Sequence, residues 1–393
     1  MRILYISYDG LLEPLGQSQV LAYQLELAKK YKIFILSFEK RKDLKNDILV
    51  QNTKSKINQA GITWYPLTYH RRFSILATSF DIFCGFIISA YLLVKHKIDI
   101  IHARSYVPSV IGLSLKLIMN VKFIFDMRGF WADEKVDSGS WKSGSLIYKV
   151  SKRLEKSFIL QADYLISLTF AGVNEIKKFP YVKKPLFNFK VISTCANLEL
   201  FKKKDIPKGA FTLGYVGSAG LWYQFEAVIR AFNELLYINP KSKLIIINRN
   251  EHEMIEDIIS KTDIPTENII LIESSYDQVP EYMNQMHAGI FFIKPYFSKK
   301  ASAPTRLGEF LGCGIPCLSN QGVGDMEEIL EENNVGIAIK DFSDKSIRLG
   351  IKDLLALTND QQTSRRCIDA SNKYFSLHNG VSLYAEVYES LRD

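Results

Sequence analysis

The segment from Phe297 to Pro316 reads Phe-Ser-Lys-Lys-Ala-Ser-Ala-Pro-Thr-Arg-Leu-Gly-Glu-Phe-Leu-Gly-Cys-Gly-Ile-Pro, which predicts a loop, a helix and a second loop. Pro304 suits the first helical position, where a missing N–H is no loss. Ser302 or Ala303 is then the cap, and the backbone N–H groups of Thr305 and Arg306 stand at the positive end of the helix. With the Thr305 hydroxyl, the Arg306 guanidinium and Lys299 or Lys300 beside them, these groups suit an anion. Glu309 lies four residues beyond Thr305 and three beyond Arg306, on the same side and about one turn deeper. A carboxylate so placed beside a phosphate can accept hydrogen bonds from ribose hydroxyls. The chemistry is that of holding a nucleoside diphosphate and stabilising charge on a departing phosphate. A surface helix with an Arg306–Glu309 pair accounts for the same residues, so a second feature has to decide.

That feature is Gly217-Ser218-Ala219-Gly220-Leu221-Trp222-Tyr223, between a predicted strand, Thr212 to Val216, and a helix from about Gln224. Small residues at such a turn let a phosphate approach the backbone. Glycines at 214, 217 and 220 miss the G-x-G-x-x-G spacing, and no G-x-x-x-x-G-K-[ST] occurs, which argues against nicotinamide dehydrogenases and P-loop NTPases. Earlier in the chain, Asp126 and Arg128 end a strand, where parallel sheets host chemistry; a pair holding the following loop is the alternative. His102 beside Arg104 can contact a sugar or be an ordinary half-buried histidine. Gly16 and Gln17 can wrap a diphosphate or sugar, or simply precede a helix capped by Ser18. Trp131 and Trp141, with Asp133, Glu134 and Asp137, suit a sugar-facing loop or one packed on its own side chains.

These residues need a frame. Short β-branched and aromatic runs alternate with helix-period segments, the pattern of parallel α/β sheets. Seven strands are expected in the first half: Ile3–Ser7, Ile33–Ser37, Ile62–Tyr65, Ile98–Ile101, Phe123–Asp126, Tyr164–Leu168 and Val191–Ser193. Six follow in the second: Thr212–Val216, Lys243–Asn248, Ile269–Glu273, Ala288–Ile293, Pro316–Ser319 and Gly336–Ile339. At 393 residues, two domains of similar size are expected. The charged stretch 198–210, with Pro207 and Gly209, reads as the linker. Domains are therefore expected at 1–197 and 211–375, facing each other across a cleft, with a helix over 376–393 that can cross back to the first.

Composition excludes a disordered tail, a collagen-like fibre and a disulfide scaffold: 47% of residues are hydrophobic and 23% charged. The formal charge of +8 points to an anionic partner. No basic and aromatic platform for nucleic acid is visible. The five cysteines are scattered and read as reduced core residues. Neither a D-x-D nor a zinc-like spacing occurs, so no metal is expected. An apolar run too short for a signal peptide opens the chain, so a cytoplasmic protein is expected. Phe73 to Val94 resembles a membrane span but contains Asp81, which is costly in lipid. It reads as a core helix, or as a helix lying in an anionic membrane interface, with His70-Arg71-Arg72 before it and Lys95-His96-Lys97 after.

The chain resembles the retaining glycosyltransferases of the GT-B fold, in particular the bacterial family 4 group that builds surface polysaccharides. The residues that carry the likeness are Pro14 to Val20, Asp126 to Glu134, Val191 to Phe201, the Gly217 loop and Pro304-Thr305-Arg306-Leu307-Gly308-Glu309-Phe310. The resemblance implies two Rossmann-like domains, with transfer of a sugar from a UDP- or GDP-type nucleotide sugar in the second domain to a glycan or polyprenyl-diphosphate-linked acceptor in the first. It implies nucleotide-sugar contacts by Gly16, Gln17, Gly217, Ser218, Arg249, Val279, Ser302, Thr305, Arg306 and Glu309, and catalysis by Asp126, Arg128, Arg306 and Glu309. Arg249 and Asn250 stand where the family contacts base or phosphate, and the Tyr276 to Pro280 loop can clasp the base through the Val279 backbone. Three departures stand out. Ala301 replaces the first of the family's two glutamates, Ser218 and Trp222 or Tyr223 replace the loop cations, and Asp126 or Phe125 replaces a histidine near the sugar. Without a carboxylate pair, a same-face, oxocarbenium-like displacement is expected. A sugar-nucleotide epimerase and a catalytically silent nucleotide-sugar-binding subunit are the alternatives.

Overall fold

The computed structural model describes residues 1–70, 74–183, 188–207 and 209–392. Arg71, Arg72 and Lys208 lie outside the described residues. The chain divides into two compact units, Met1–Ser193 with Gly380–Asp393, and Thr194–Asn379.

The first unit is built on β1 (Arg2–Ser7), β2 (Lys32–Glu39), β3 (Thr63–Thr68), β4 (Ile100–Arg104), β5 (Lys122–Asp126), β6 (Tyr164–Ser167) and β7 (Phe189–Val191). They form one parallel sheet in the order β3-β2-β1-β4-β5-β6-β7. Ile3, Leu4, Ile6, Ile100, Ile101 and Phe123 are all fully buried, because helices cover both faces of a parallel sheet. Pro66, which cannot donate to a ladder, falls on the edge strand β3.

The second unit contains β8 (Thr212–Val216), β9 (Lys243–Ile247), β10 (Ile269–Ile272), β11 (Ala288–Ile290), β12 (Cys317–Asn320) and β13 (Gly336–Ile339). The order is β10-β9-β8-β11-β12-β13, again parallel. Strand order reverses beside β1 in the first sheet and beside β8 in the second, and open α/β sheets bind ligands at the carboxyl ends next to such a reversal.

All thirteen expected strands are present, with shifted ends. β7 closes at Val191 rather than running 191–193, and β4 begins at Ile100 rather than Ile98. The expected linker 198–210 belongs to the second unit. Phe201 is fully buried in that unit's core, and Asn284 pins the backbone by accepting from Lys204 N at 2.7 Å and donating to Lys202 O at 3.1 Å. Lys202, Lys203 and Lys204 reach solvent while the backbone beside them is tied down. The Leu377–Glu389 helix passes into the first unit, where Tyr384, Val387 and Tyr388 are buried. Gly380 permits the approach: a Cβ there would lie 2.7 Å from Tyr23 Cε1.

Candidate functional site

At the carboxyl ends of β8 and β9, the second unit has a cavity of about 580 Å³. Val216 to Ser218, Tyr223, Asn248 to Glu251, Ser274, Tyr276, Val279, Pro304 to Arg306 and Glu309 line it. One wall is the start of the Thr305–Gly312 helix. Pro304 is its N-cap rather than its first residue, with extended φ and ψ of −69° and 116°, and no side chain caps it. The expected cap at Ser302 or Ala303 is therefore corrected, and Ser302 lies outside the cavity lining. Proline restricts the residue before it to extended backbone and fixes its own φ, so the helix starts one residue later than expected. The helix's leading N–H groups remain open to an anion.

Arg306 is half-buried just inside this end. Its guanidinium carbon stands 4.3 Å from the Tyr223 ring centroid and 5.6 Å from those of Tyr215 and Phe291. Gly217 makes the room: its φ is +101°, and a Cβ there would lie 2.4 Å from Arg306 Nη2. Nη1 is buried without a hydrogen-bond partner. One turn deeper, Glu309 is 8% exposed and its Oε1 accepts from the Tyr276 hydroxyl at 3.1 Å. Burial pushes its carboxyl up to about 7, against the pull of that hydrogen bond and of Arg306. Arg306 and Glu309 form no ion pair, so each keeps a polar atom for a ligand.

The Gly217 loop differs from the expected phosphate cradle. Glu251 occupies it: its carboxylate accepts from Ser218 Oγ at 2.8 Å, Ala219 N at 2.8 Å, Gly220 N at 3.0 Å and Asn248 Nδ2 at 2.7 Å. Those bonds hold its carboxyl below the usual range despite partial burial. Ser218 lines the cavity, but its hydroxyl is spent on Glu251. Cations missing from this loop stand on the opposite segment instead, with loop aromatics under them: Lys299 Nζ is 3.6 Å from the Trp222 centroid, and Arg306 stacks on Tyr223. Arg249 lines the cavity, its Nε donating to Ser274 O at 3.3 Å. Val279 lines it too, but its N–H bonds Ser275 O at 3.2 Å, so only its side chain and helix edge face the space. Ala301, at the position of the family's first glutamate, is a buried apolar residue of the Phe297–Ala301 turn.

The first-unit candidates form a different kind of place. Asp126 is fully buried at the end of β5, accepting from the Tyr384 hydroxyl at 2.9 Å. His102 Nε2 lies 3.4 Å from the same carboxylate, and its Nδ1 is 2.8 Å from Tyr388 Oη. Arg128 Nη1 is 3.8 Å from Asp126 Oδ1, and Arg104 Nε donates to Asp9 at 3.1 Å. Burial alone would raise the Asp126 carboxyl; Arg128, His102 and Arg104 outweigh it and bring it down to about 2. Burial shifts the His102 imidazole below its ordinary value, against the pull of Asp126. Asp126 and Arg128 are thus gathered into a buried polar cluster closed by the C-terminal helix, and neither lines the second-unit cavity. Arg128 carries a φ of +57°, a strained conformation for a non-glycine residue.

Gly16 and Gln17 also have structural partners. A Cβ at Gly16 would lie 1.9 Å from Gly10 O, and Gln17 donates to Leu11 O and to Thr53 Oγ1 at 3.3 Å. Ser18 is inside the helix, its hydroxyl bonding Pro14 O at 3.0 Å, so the cap reading of that residue is corrected. Trp131 and Trp141 meet edge to face at 5.0 Å, while Asp133 accepts from Tyr148 and Lys152 at 2.8 Å each. That loop packs on its own side chains. Among the described residues no three His, Cys, Asp or Glu side chains gather as a metal site would need.

Sequence reasoning missed Glu251, Tyr384 and Tyr388 as partners of these clusters. Asn248 three residues before Glu251 was a readable signal, because its Oδ1 accepts from Glu251 N at 2.8 Å and starts the following helix. Nothing local in the last helix points to Asp126, 258 residues away from Tyr384.

Residues 197–374 match the family described as Glycosyl transferases group 1. No curated protein sequence matches the chain. Among solved structures it is similar to sucrose-phosphate synthase from Thermosynechococcus elongatus, at 13% identity and TM-score 0.74, covering 100% of this chain and 99% of that one. It is also similar to Anabaena HepE in complex with UDP and glucose, at 15% identity and TM-score 0.67, covering 99% and 100%. A putative UDP-N-acetylglucosamine 2-epimerase from Listeria monocytogenes shares 13% identity at TM-score 0.57, covering 100% and 97%. At these identities the likeness is one of fold, and the fold is GT-B.

Proposed function

We propose that this chain, whose residues 197–374 match the group 1 glycosyltransferase family and whose whole length has the GT-B fold, is a glycosyltransferase whose second unit binds a UDP- or GDP-type sugar and transfers its hexosyl group with retention. The acceptor is a glycan or a polyprenyl-diphosphate-linked glycan held by the first unit, in the assembly of cell-surface polysaccharide at the inner face of the membrane. The observation that carries the reading is the buried, unpartnered Nη1 of Arg306 at an uncapped helix start, with the Glu309 carboxyl one turn deeper in the same cavity. That spacing suits a diphosphate followed by a ribose diol.

In this reading Arg306, the leading N–H groups of the helix and the Thr305 hydroxyl meet the charge that grows on the diphosphate as the glycosidic bond breaks. Glu309 accepts from the ribose hydroxyls and exchanges its Tyr276 bond for them. Arg249 and Val279 frame the base. Because Ala301 offers no second carboxylate, the acceptor attacks from the face the diphosphate leaves, and retention follows without a glycosyl-enzyme intermediate. Asp126 and Arg128 act by shaping the end of β5 rather than by touching the sugar. No step calls for a divalent metal, so transfer is expected to persist in a chelator.

Calorimetric titration of UDP, GDP and CDP into the wild-type protein and into Arg306→Ala and Glu309→Ala tests the donor site. One nucleotide should bind the wild type at least ~10-fold better than either variant. Equal binding by all three proteins would remove the assignment. A changed sugar released without acceptor would select the epimerase, and nucleotide binding with no turnover on lipid-linked acceptors would select a silent subunit.

A further inference from the structure

The Ser74–His96 helix has two faces of opposite kind. Ala77, Asp81, Gly85, Ser89 and Leu92 recur every three or four residues and are buried against the first unit. A Cβ added at Gly85 would stand 2.6 Å from Ile111 Cδ1 and 3.0 Å from Phe38 Cζ, so the helix lies hard against the sheet and its neighbour. The helix is long and apolar enough to cross a membrane by length and composition. Its inner stripe is nevertheless part of a globular core, and drawing the helix into a bilayer would strip that core.

The outer stripe is Leu76, Phe80, Phe83, Ile87, Tyr91 and Val94, each between 51% and 73% exposed. It runs the length of the helix, about 34 Å at 1.5 Å per residue. Leu117 and Ile118, at the end of the Tyr106–Met119 helix, extend it and are equally exposed. A concavity lined by Val94, Met119, Asn120 and Lys122 joins the ends of the two helices. The two helices are as one-sided in charge as in hydrophobicity, and the exposed acid beside them, Asp99, accepts from Arg2 N at 2.7 Å. Asp81 is the one acid in the long helix; it is 1% exposed and accepts from the Tyr8 hydroxyl at 2.8 Å and from the His70 ring. The second helix contains no acid. Lys95 and Lys97 are exposed at one end, and Arg71 and Arg72 precede the helix in the sequence at the other.

We propose that this face is a docking surface for an anionic lipid bilayer, on which the helix lies in the interfacial plane with Phe80, Phe83 and Ile87 among the acyl chains and the flanking cations on headgroup phosphates. The proposal deepens the lipid-linked acceptor of the reading above, since it brings the first unit to the surface where such an acceptor resides. Interfacial helices combine this broad apolar face with basic flanks. A second copy of the chain fits less well: with Lys95 and Lys97 exposed at one end of the helix, parallel self-pairing sets like charges together and antiparallel pairing brings them to a turn that holds no acid.

Flotation of the full-length protein with vesicles of phosphatidylcholine alone, and of phosphatidylcholine with phosphatidylglycerol, tests it. The expected result is recovery with the anionic vesicles, weakened by salt. The Phe83→Asp, Ile87→Asp double variant should cut the bound fraction at least ~10-fold. Lys95→Glu should reduce the preference for phosphatidylglycerol. Nucleoside diphosphate binding, which reads the second unit, should be unchanged in every variant, and a wild-type far-UV circular dichroism spectrum and melting curve show that the first unit of each is folded. No vesicle binding, or binding insensitive to the double variant, overturns the proposal; so does a concentration-dependent dimer that the double variant dissolves. Vesicle binding by a protein that takes up no nucleotide would leave this surface standing and remove the donor-site reading.

Discussion

The two units each collect charged side chains at the carboxyl ends of their central strands, yet the clusters are opposites. In the first, Asp126 faces Arg128, His102 and Tyr384, Arg104 faces Asp9, and the carboxyl is brought down to about 2. In the second, Arg306 rests on aromatic faces, Glu309 has only a phenol, and its carboxyl rises to about 7. Burying an uncompensated charge is costly, and a fold retains it where a ligand completes it. Charge separates the two: the first cluster sets carboxylates against its cations, although Asp126 Oδ1, Arg128 Nη1 and Arg104 Nη1 are buried without a hydrogen-bond partner just as Arg306 Nη1 is, while in the second neither charge has an opposite partner; we propose on that ground that the first is a lock on the C-terminal helix and the second a ligand site.

The largest effect should come from breaking the lock. Asp126→Ala leaves Arg128 and His102 without their carboxylate and should cost about 3–5 kcal/mol, read by urea unfolding. A loss under ~1 kcal/mol would place Asp126 among ligand-facing groups. Acid should act in the same direction: with the folded carboxyl near 2 and the unfolded one near 3.8, its contribution is present above 3.8 and disappears as pH falls through 2.

Arg306→Ala should do the converse, lowering transfer by about 10²–10³ with an unchanged or higher melting temperature. Melting far below the wild type would make Arg306 a structural residue like Asp126.

Glu309→Gln should separate stability from function. Because the folded carboxyl titrates near 7 rather than 4.5, its ionisation weakens the fold as pH rises through that window. The amide variant should therefore be more stable than the wild type at pH 8, by up to about 3 kcal/mol, with the gap closing toward pH 5 while nucleotide binding is lost. A gap independent of pH would contradict the raised titration.

The smallest expected effect is at Tyr223, a positioning residue. Tyr223→Leu removes the face under Arg306, worth about 1 kcal/mol. KM for the nucleotide sugar should rise several-fold, Tyr223→Phe should restore it, and kcat should move less.

Much of this frame is legible in the order of the residues. Thirteen strands, their split into two sets, the helix at Thr305 and the placement of Arg306 and Glu309 on one face follow from periodicity and spacing, which act over a few residues. Less legible is what each polar group meets. Ser218 reads as a phosphate ligand until Glu251, 33 residues away, takes its hydroxyl. Asp126 reads as the end of a strand, and nothing near it in the sequence announces the Tyr384 hydroxyl that meets it from the end of the chain.

The sequence by itself determined the sheets, the glycine at the Gly217 turn, the amphipathic length of residues 74–96 and the residue types around the Arg306 cavity, because each is set by local backbone preference and by which residues avoid water. The tertiary structure alone decided which buried charges are neutralised, that Trp222 and Tyr223 carry cations from another segment, and which stripe of the long helix faces out. Burial and Coulomb energy depend on distances between residues far apart in the chain, and only folding sets those distances.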